Sequence, residues 1–363
     1  MKKSTIIICF LAKSNNSLSQ AEDSAIKIDF GKRVQFTSAD SMFTIATGGR
    51  IQSLFEAKSN ITNEATGADF LLRRCRLNIQ GIVFNPQFTC RIQLGFAHGD
   101  ITSGNSVVQN NLILGDAILF YKPNKWFRVG FGQTKLPGNR QRQISSANLQ
   151  LLERSIANNN FTLDRDKGIW LYTNFDINKT VLKSTRAISS GEDRIVSAKN
   201  GKLSYAARLE FLPRCEFTKA GDYVEADIEI KSKPKLAIAS VYNFNIDATR
   251  TMAQLGDFLY NSETANIQYY GADLLFKYKG FSLESEFYNR NSDNAIITNN
   301  ADSTQSNYDI AGNTFMIQAG YFVSKTNNIA IKYAQINPDK EVASIINAQK
   351  EYVIGFSHYY YPN

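Results

Sequence analysis

The chain has 363 residues, of which 43% are hydrophobic and 12% aromatic, and 41 basic against 33 acidic side chains give a formal net charge of +8. This composition is not that of a disordered chain. The longest apolar run, residues 6–12, is far below the roughly 20 residues that a membrane-spanning helix needs. Any membrane role must therefore come from strands or from a segment that lies on the membrane surface, and the positive charge favours anionic partners without naming one.

The N-terminus has the pattern of a secretory signal. Two lysines follow Met1, an apolar stretch occupies residues 4–12, and small residues stand at Ser19 and Ala21. We predict a signal peptide at residues 1–21 and a mature chain of residues 22–363. The alternative is the frayed N-terminus of a cytosolic protein.

From residue 43 onward the hydrophobic period is two. In residues 88–97, for example, Phe88, Ile92 and Phe96 alternate with polar or small residues. Segments of about 10 residues with this alternation have the length of tilted strands that cross a bilayer. The fourteen predicted strands are residues 43–57, 70–83, 88–97, 113–122, 126–135, 168–176, 179–189, 202–212, 235–245, 268–278, 281–290, 314–323, 328–336 and 351–360.

The connections between these strands alternate in length, whereas a soluble sandwich with the same strand pattern has no reason to show this rhythm. Links such as residues 123–125 and 279–280 are short, and links such as 136–167 and 291–313 are long. This rhythm predicts an all-β, antiparallel transmembrane barrel in an outer membrane, with short periplasmic turns and long external loops. Residues 213–234 interrupt the rhythm, and the pattern there leaves a small hairpin and an uncounted strand equally open.

Several stretches are similar to the phosphate-selective porins O and P. The most specific is residues 129–137, Val-Gly-Phe-Gly-Gln-Thr-Lys-Leu-Pro, followed by Leu-Glu-Arg-Ser at 152–155, with support from residues 49–52 and 70–77. The resemblance implies a sixteen-strand barrel, usually a homotrimer, that passes anions and in some members prefers phosphate or polyphosphate. Such barrels continue for two strands beyond residue 360, so we expect the chain to be incomplete at its C-terminus.

Strand parity predicts which side chains face the lumen. It directs Arg74, Arg76, Arg91 and Arg128 inward and Arg73 outward. A guanidinium binds two oxygen atoms of an anion at once, and a row of weak sites lets the anion enter and leave. The same parity directs five carboxylates inward, which favours a weakly selective general pore as the alternative: Asp116, Glu210, Asp273, Glu284 and Glu286.

The longest link, residues 136–167, is predicted to fold into the barrel and narrow it. Ser145 or Ser146 can cap a short helix whose apolar face comprises Leu149, Leu152 and Ile156. The resemblance implies that a constriction loop lies here, and its charges would then be Arg140, Arg142 and Arg154. The alternative is a solvated external loop.

Other function classes find little support. The sequence contains two histidines, His98 and His358, and no spacing typical of a catalytic dyad or a metal site, so we predict neither an enzyme nor a cofactor. Basic residues form no stripe interleaved with aromatics, which argues against nucleic acid. The predicted function is an outer-membrane porin of a Gram-negative bacterium, with phosphate-like anions, the lipid bilayer and two further copies of the chain as partners. A barrel that acts as an adhesion or docking surface is a further alternative.

Overall fold

The computed structural model describes residues 25–29, 33–40, 42–59, 66–97, 113–192, 194, 202–252 and 254–360. Sixteen antiparallel strands form one sheet in which each strand pairs with its neighbours along the chain. They are β1 (Ala25–Asp29), β2 (Arg33–Thr37), β3 (Thr44–Ser59), β4 (Thr66–Val83), β5 (Asn85–Gly95), β6 (Leu114–Tyr121), β7 (Phe127–Lys135), β8 (Arg165–Ile177), β9 (Thr180–Ser189), β10 (Ser204–Leu212), β11 (Lys235–Ala248), β14 (Ala265–Tyr278), β15 (Phe281–Ser292), β18 (Gly312–Phe322), β19 (Asn327–Pro338) and β20 (Gln349–His358).

All fourteen predicted strands are present, from β3 to β20, with ends within a few residues of the prediction. The period of two is what places them, because alternate side chains lie on opposite faces of the sheet. In β14, Tyr269, Asp273 and Lys277 are buried on the inner face, while Tyr270 is exposed on the outer face. The strands β1 and β2 were not predicted, since five residues are too few to show an alternation.

The sheet is rolled into a barrel. Glu153, in the connection after β7, accepts hydrogen bonds on its carboxylate from Arg73 and Arg74 of β4. Its backbone oxygen accepts a hydrogen bond from Lys332 Nζ of β19 at 3.3 Å. The strands β4 and β19 stand far apart in the order of the sheet, yet both contact Glu153. The sheet must therefore curl around this residue.

The two ends of the barrel differ, as the alternation of connection lengths predicts. Tight turns such as Lys279–Gly280, where both residues have a positive φ, close the end that we call the turn side. The opposite end, the loop side, carries two small hairpins, β12–β13 (Arg250–Met252, Leu255–Phe258) and β16–β17 (Ile296–Thr298, Ser306–Tyr308).

Two connections fold differently from their prediction. Residues 213–234 form neither a hairpin nor a strand; they contain a 3-10 helix, Thr218–Tyr223, and lie against the inner face of the sheet. The link after β7 does fold inward, but no helix begins at Ser145 or Ser146. Its helices are α1 (Arg140–Gln143) and α2 (Ile156–Asn160), and Ser155 caps α2 by accepting the Asn158 N–H.

No helix in the described ranges has the length and apolar character to cross a membrane. The predicted signal peptide at residues 1–21 and His98 lie outside the described residues.

Candidate functional site

Two segments enter the barrel from opposite ends and meet inside it. We call residues 136–164 the inward loop and residues 213–234 the inner segment. The Glu225 N–H donates to the Asn148 carbonyl oxygen at 3.0 Å, and the Asn148 side-chain amide donates to the Tyr223 carbonyl oxygen at 3.1 Å. The Gln150 N–H donates to the Glu225 carboxylate at 2.7 Å. The loop side and the turn side are thus linked through the middle of the lumen.

Both segments pack against one side of the barrel wall, which we call the packed side. The inward loop also contacts β3 and β4, where Ser146 accepts hydrogen bonds from Arg50 and Arg76. Arg140 of the inward loop is fully buried and donates to the Asp273 carboxylate at 2.7 Å, with Glu210 at 3.5 Å. Arg208 binds the other oxygen of Asp273 at 2.6 Å. Lys277 donates to two carbonyl oxygens of the inner segment, at 2.9 and 2.8 Å. Arg140, Arg208 and Lys277 on this side therefore bind a buried carboxylate or the backbone of the inner segment.

The opposite side of the lumen stays open. A cavity of about 1000 Å³ runs along β3 to β10, and we call this part of the lumen the open side. Cationic side chains outnumber carboxylates in its lining. The cations are Arg50, Arg76, Arg91, Arg128, Lys135, Arg165 and Arg208, and the carboxylates are Asp116 and Glu210. The inward loop contributes neutral groups to the lining, including Gln143, Ser145 and Asn148.

Most cations of the lining are held by neighbouring groups. Arg91 donates to Thr134 Oγ1 at 2.7 Å and lies 3.3 Å from Asp116, with 40% of its side chain exposed. Arg165 occupies the other oxygen of Asp116 at 2.8 Å. Because two cations share the single carboxylate of Asp116, this part of the wall keeps an excess of positive charge.

Arg128 is held by aromatic rings. Its Cζ lies 4.5 Å from the centroid of the Phe120 ring and 4.1 Å from that of Tyr172. We call these three residues the aromatic corner. Within the described part of the chain, Arg128 forms no hydrogen bond or ion pair, so its guanidinium is fixed by cation–π contacts while its N–H groups stay unused.

A β-bulge changes the predicted roles of Arg73 and Arg74. Gln52 pairs with Arg74 and Ser53 pairs with Leu72, so Arg73 is the extra residue of the bulge. Arg73 was predicted to face outward, which is wrong: it contacts Glu153 at 2.6 Å on the inner side. Arg74 does face inward, but it is buried against Gln52 and Glu153 and is not part of the cavity lining.

The three predicted constriction arginines also lie outside the cavity lining. Arg140 binds the packed side as described. Arg142 forms an ion pair with Asp164 inside the inward loop. Arg154 donates to the carbonyl oxygens of Gln141 and Ile144, at 2.6 and 2.8 Å. In the structure these residues hold the inward loop in its shape, so their role as constriction charges remains a prediction without a contact to support it.

The ionisation of the loop residues follows from burial and neighbours. Burial alone would raise the pKa of Glu153, but hydrogen bonds and charges from Arg73 and Arg74 lower it. Burial lowers the pKa of Arg154 to about 10. Burial raises the pKa of Glu225, although Gln150 and Gln318 donate to its carboxylate. The contact between the inward loop and β4 is thus a charged one at neutral pH.

Part of the lining was not predicted from the sequence, chiefly Arg50, Lys135 and Arg165. The sequence held a signal for Arg50, because it lies in the predicted strand 43–57 beside the apolar Ile51, and neighbouring residues of a strand face opposite sides. In the structure Ile51 is 72% exposed on the outer face and Arg50 pairs with Arg76. Arg165 had no such signal, since β8 begins three residues before the predicted strand. In the described ranges no group of three histidine, cysteine or acidic side chains is arranged to hold a metal ion.

Solved structures with a similar overall course include several outer-membrane proteins. A loop L8 deletion mutant of OmpT from Vibrio cholerae has a TM-score of 0.40 and 10% identity, over 87% of this chain and 99% of that one. The channel DcaP of Acinetobacter baumannii gives 0.41 and 10%, over 88% and 97%. An anion-selective porin from Comamonas acidovorans gives 0.38 and 11%, over 87% and 95%. Similarity at this level supports no further conclusion.

Comparison with curated proteins gives no significant match. The sequence does match the family model of the phosphate-selective porins O and P over residues 45–352, which is most of the chain and includes β4 to β19 in full. The rolled antiparallel sheet, the two kinds of connection and the polar lumen agree with this match. The chain therefore belongs to the phosphate-selective porin O and P family, β-barrel porins of the Gram-negative outer membrane.

Proposed function

We propose that the chain forms a water-filled channel for passive passage of small anions, phosphate-like ones among them. The observation that carries the proposal is the lining of the open side, where seven cationic side chains face two carboxylates. Arg208 is paired with Asp273 on the packed side, and the other six cations still outnumber the two carboxylates. A narrow polar passage with one sign of charge raises the local concentration of ions of the other sign. Neutral pore groups would not discriminate in this way.

Three of the predicted arginines form a descending series along this wall. Arg76 pairs with Gly95 of β5, Arg91 lies four residues nearer the turn side on the same strand, and Arg128 lies beyond the level of Phe88. At about 3.3 Å per residue, the steps are roughly 10 to 13 Å each. An anion that moves from the loop side to the turn side would meet one donor group after another, with no single deep trap.

Three of the five inward carboxylates, which favoured a general pore, lie outside the cavity lining: Asp273, Glu284 and Glu286. Asp273 is buried between Arg140 and Arg208, and Glu286 accepts hydrogen bonds from Asn139 and the Gln141 backbone. Only Asp116 and Glu210 of the five reach the cavity lining. This distribution supports anion preference over a weakly selective pore. Association of three chains, as the family resemblance implies, is part of the same proposal.

The experiment is a planar-bilayer recording of the purified protein. In a potassium chloride gradient, the reversal potential should be shifted from zero toward the equilibrium potential of chloride. Added phosphate should reduce the chloride current. A reversal potential near zero would favour the general pore. Absence of any conductance from correctly folded protein would favour a barrel that serves as a docking surface.

A further inference from the structure

We propose that the turn-side mouth of the channel contains a binding site for small organic carboxylates that carry an aromatic or apolar body. This inference rests on the proposed function and specifies its cargo. A second cavity, of about 240 Å³, lies at the turn side, and its lining includes Lys122, Lys125, Trp126, Tyr172 and Tyr223. Arg128 and Tyr172 line this cavity and the larger one, so the aromatic corner stands between them.

Arg128 is the recognition group of this site. Every other arginine of the larger cavity has a polar partner, whereas Arg128 contacts only rings among the described residues. The Phe120 and Tyr172 rings are 6.0 Å apart and inclined by 63°, so they enclose two sides of the guanidinium. The remaining N–H groups lie in one plane and match the two oxygen atoms of a carboxylate.

The rest of the cavity suits an organic body better than a hydrated inorganic ion. Trp126, Tyr172 and Tyr223 supply aromatic surface, and Lys125 Nζ lies 5.3 Å from the Trp126 ring. Lys183, which also lines the cavity, is already paired with Glu216 at 2.9 Å and Asp222 at 2.8 Å. A volume of about 240 Å³ is just below the range of drug-sized sites, and is sufficient for a single-ring carboxylate.

The arrangement predicts that the larger cavity and the aromatic corner act differently on a passing anion. The larger cavity attracts anions of any kind through its positive charge. Its donors, such as those of Arg91, already bind protein groups and therefore do not distinguish one anion from another. The aromatic corner then retains carboxylates whose body can lie against the rings, since stacking and a paired hydrogen bond act together there. Inorganic phosphate gains only the hydrogen bonds.

Block of chloride current by benzoate and by inorganic phosphate tests this proposal in the full-length protein. Half-block of the wild type by turn-side benzoate is expected at a concentration about tenfold lower than for phosphate, the effect of one additional favourable contact. Arg128→Lys keeps the charge but loses the planar fork, and Tyr172→Leu loses the ring. Both variants should raise the benzoate concentration about tenfold. Tyr172→Leu leaves the guanidinium in place and should keep the phosphate concentration within about twofold, whereas Arg128→Lys should raise the phosphate concentration as well. Lys325→Gln, which removes an exposed turn-side charge outside the cavity, should change neither.

Equal block of the wild type by benzoate and phosphate would overturn the proposal, as would benzoate block that Arg128→Lys leaves unchanged. The wild-type comparison decides the matter even where a variant does not fold. The outcome is separable from that of the proposed function: an anion-selective channel without benzoate preference contradicts only this inference, whereas a channel without anion selectivity contradicts the proposed function itself.

Discussion

The packed side and the open side of the lumen are built from the same strand pattern, yet they use their charges differently. On the packed side Arg140 and Arg208 are buried on the two oxygens of Asp273, and Tyr288 Oη adds a hydrogen bond to it at 2.6 Å. On the open side Arg128 is held by rings alone and Arg91 shares Asp116 with Arg165. An inward arginine therefore has two fates, which depend on how fully buried carboxylates compensate its charge.

The charges of the packed side support the inserted segments, whereas those of the open side act on a passing ion. Paired, desolvated charges fix the inserted segments in place and contribute nothing to the potential that a passing ion meets. Partly exposed cations with shared or aromatic partners leave their positive charge in the passage. Substitutions on the packed side should therefore lower the stability of the protein, and substitutions on the open side should change its ion selectivity.

The largest expected effect is on the packed side. Arg140→Met would remove one of the two cations that neutralise Asp273, and would leave Glu210 with less compensation in a buried place. We expect a loss of about 3 kcal/mol or more in the free energy of unfolding, because an uncompensated buried charge is costly. Denaturant unfolding in detergent, followed by the band shift between unheated and heated samples, measures it.

Lys340→Met, at an exposed position on the loop side, is the matched control and should leave the unfolding midpoint unchanged. Equal midpoints for both variants would show that Arg140 does not anchor the inward loop.

A smaller effect is expected where the two inserted segments meet. Glu225→Ala would remove the acceptor for the Gln150 N–H and the Gln318 amide, which lie 2.7 and 2.9 Å from it. Leaving these buried donors unpaired should cost about 1–3 kcal/mol. The inward loop should then exchange its amide hydrogens faster, as measured by mass spectrometry.

Glu263→Ala, at an exposed position, is the control for Glu225→Ala and should leave exchange of the inward loop unaltered. Unchanged protection at residues 148–150 in the Glu225 variant would argue that the two segments are held independently.

Arg74 and Arg76 provide a matched pair on one strand. Both are inward, but Arg76 lines the cavity and Arg74 does not. Arg76→Gln should therefore move the reversal potential toward the cation side, whereas Arg74→Gln should leave it in place and weaken the contact of Glu153 with β4 by about 1 kcal/mol. Equal shifts in the two variants would mean that exposure to the cavity does not decide selectivity.

The smallest effect concerns pH. Burial would raise the pKa of Glu153, but Arg73 and Arg74 lower it, so its contact with β4 is complete above the ordinary glutamate pKa of about 4.3 and is lost as the pH falls through the lowered value. Hydrogen exchange of residues 149–155 should accelerate at acid pH in the wild type. Glu153→Gln should remove that dependence, and an identical acid response in this variant would assign it to another group.

Much of the fold could be predicted from the sequence, because the period of two and the alternating connections are local signals. The bulge at Arg73 could not be predicted, because a single unpaired residue leaves no mark on the composition of a strand. It reverses the face on which the residues before it lie. For the same reason Leu72, which an uninterrupted alternation would place on the inner face with Arg74, is 51% exposed on the outer face.

The site was harder to predict than the fold. Parity correctly turned Arg76, Arg91 and Arg128 inward, and the cavity lining includes all three. It gave no means to foresee that residues 213–234 would enter the lumen or that Arg140 would bind Asp273, because both depend on contacts between residues more than 100 positions apart or on opposite ends of the barrel. The face of the sheet on which a charged side chain lies is set by the local sequence, whereas the partner that neutralises its charge depends on the tertiary fold.

The most direct test of the central claim removes charge from the open side alone. In the triple variant Arg76→Gln, Arg91→Gln and Arg128→Gln, the reversal potential in a potassium chloride gradient should move from the chloride side toward the potassium side, while the protein remains folded. A control with three exposed lysines replaced, Lys58→Gln, Lys340→Gln and Lys350→Gln, loses the same net charge outside the cavity and should keep the wild-type value. A folded triple arginine variant with an unchanged reversal potential would contradict the account.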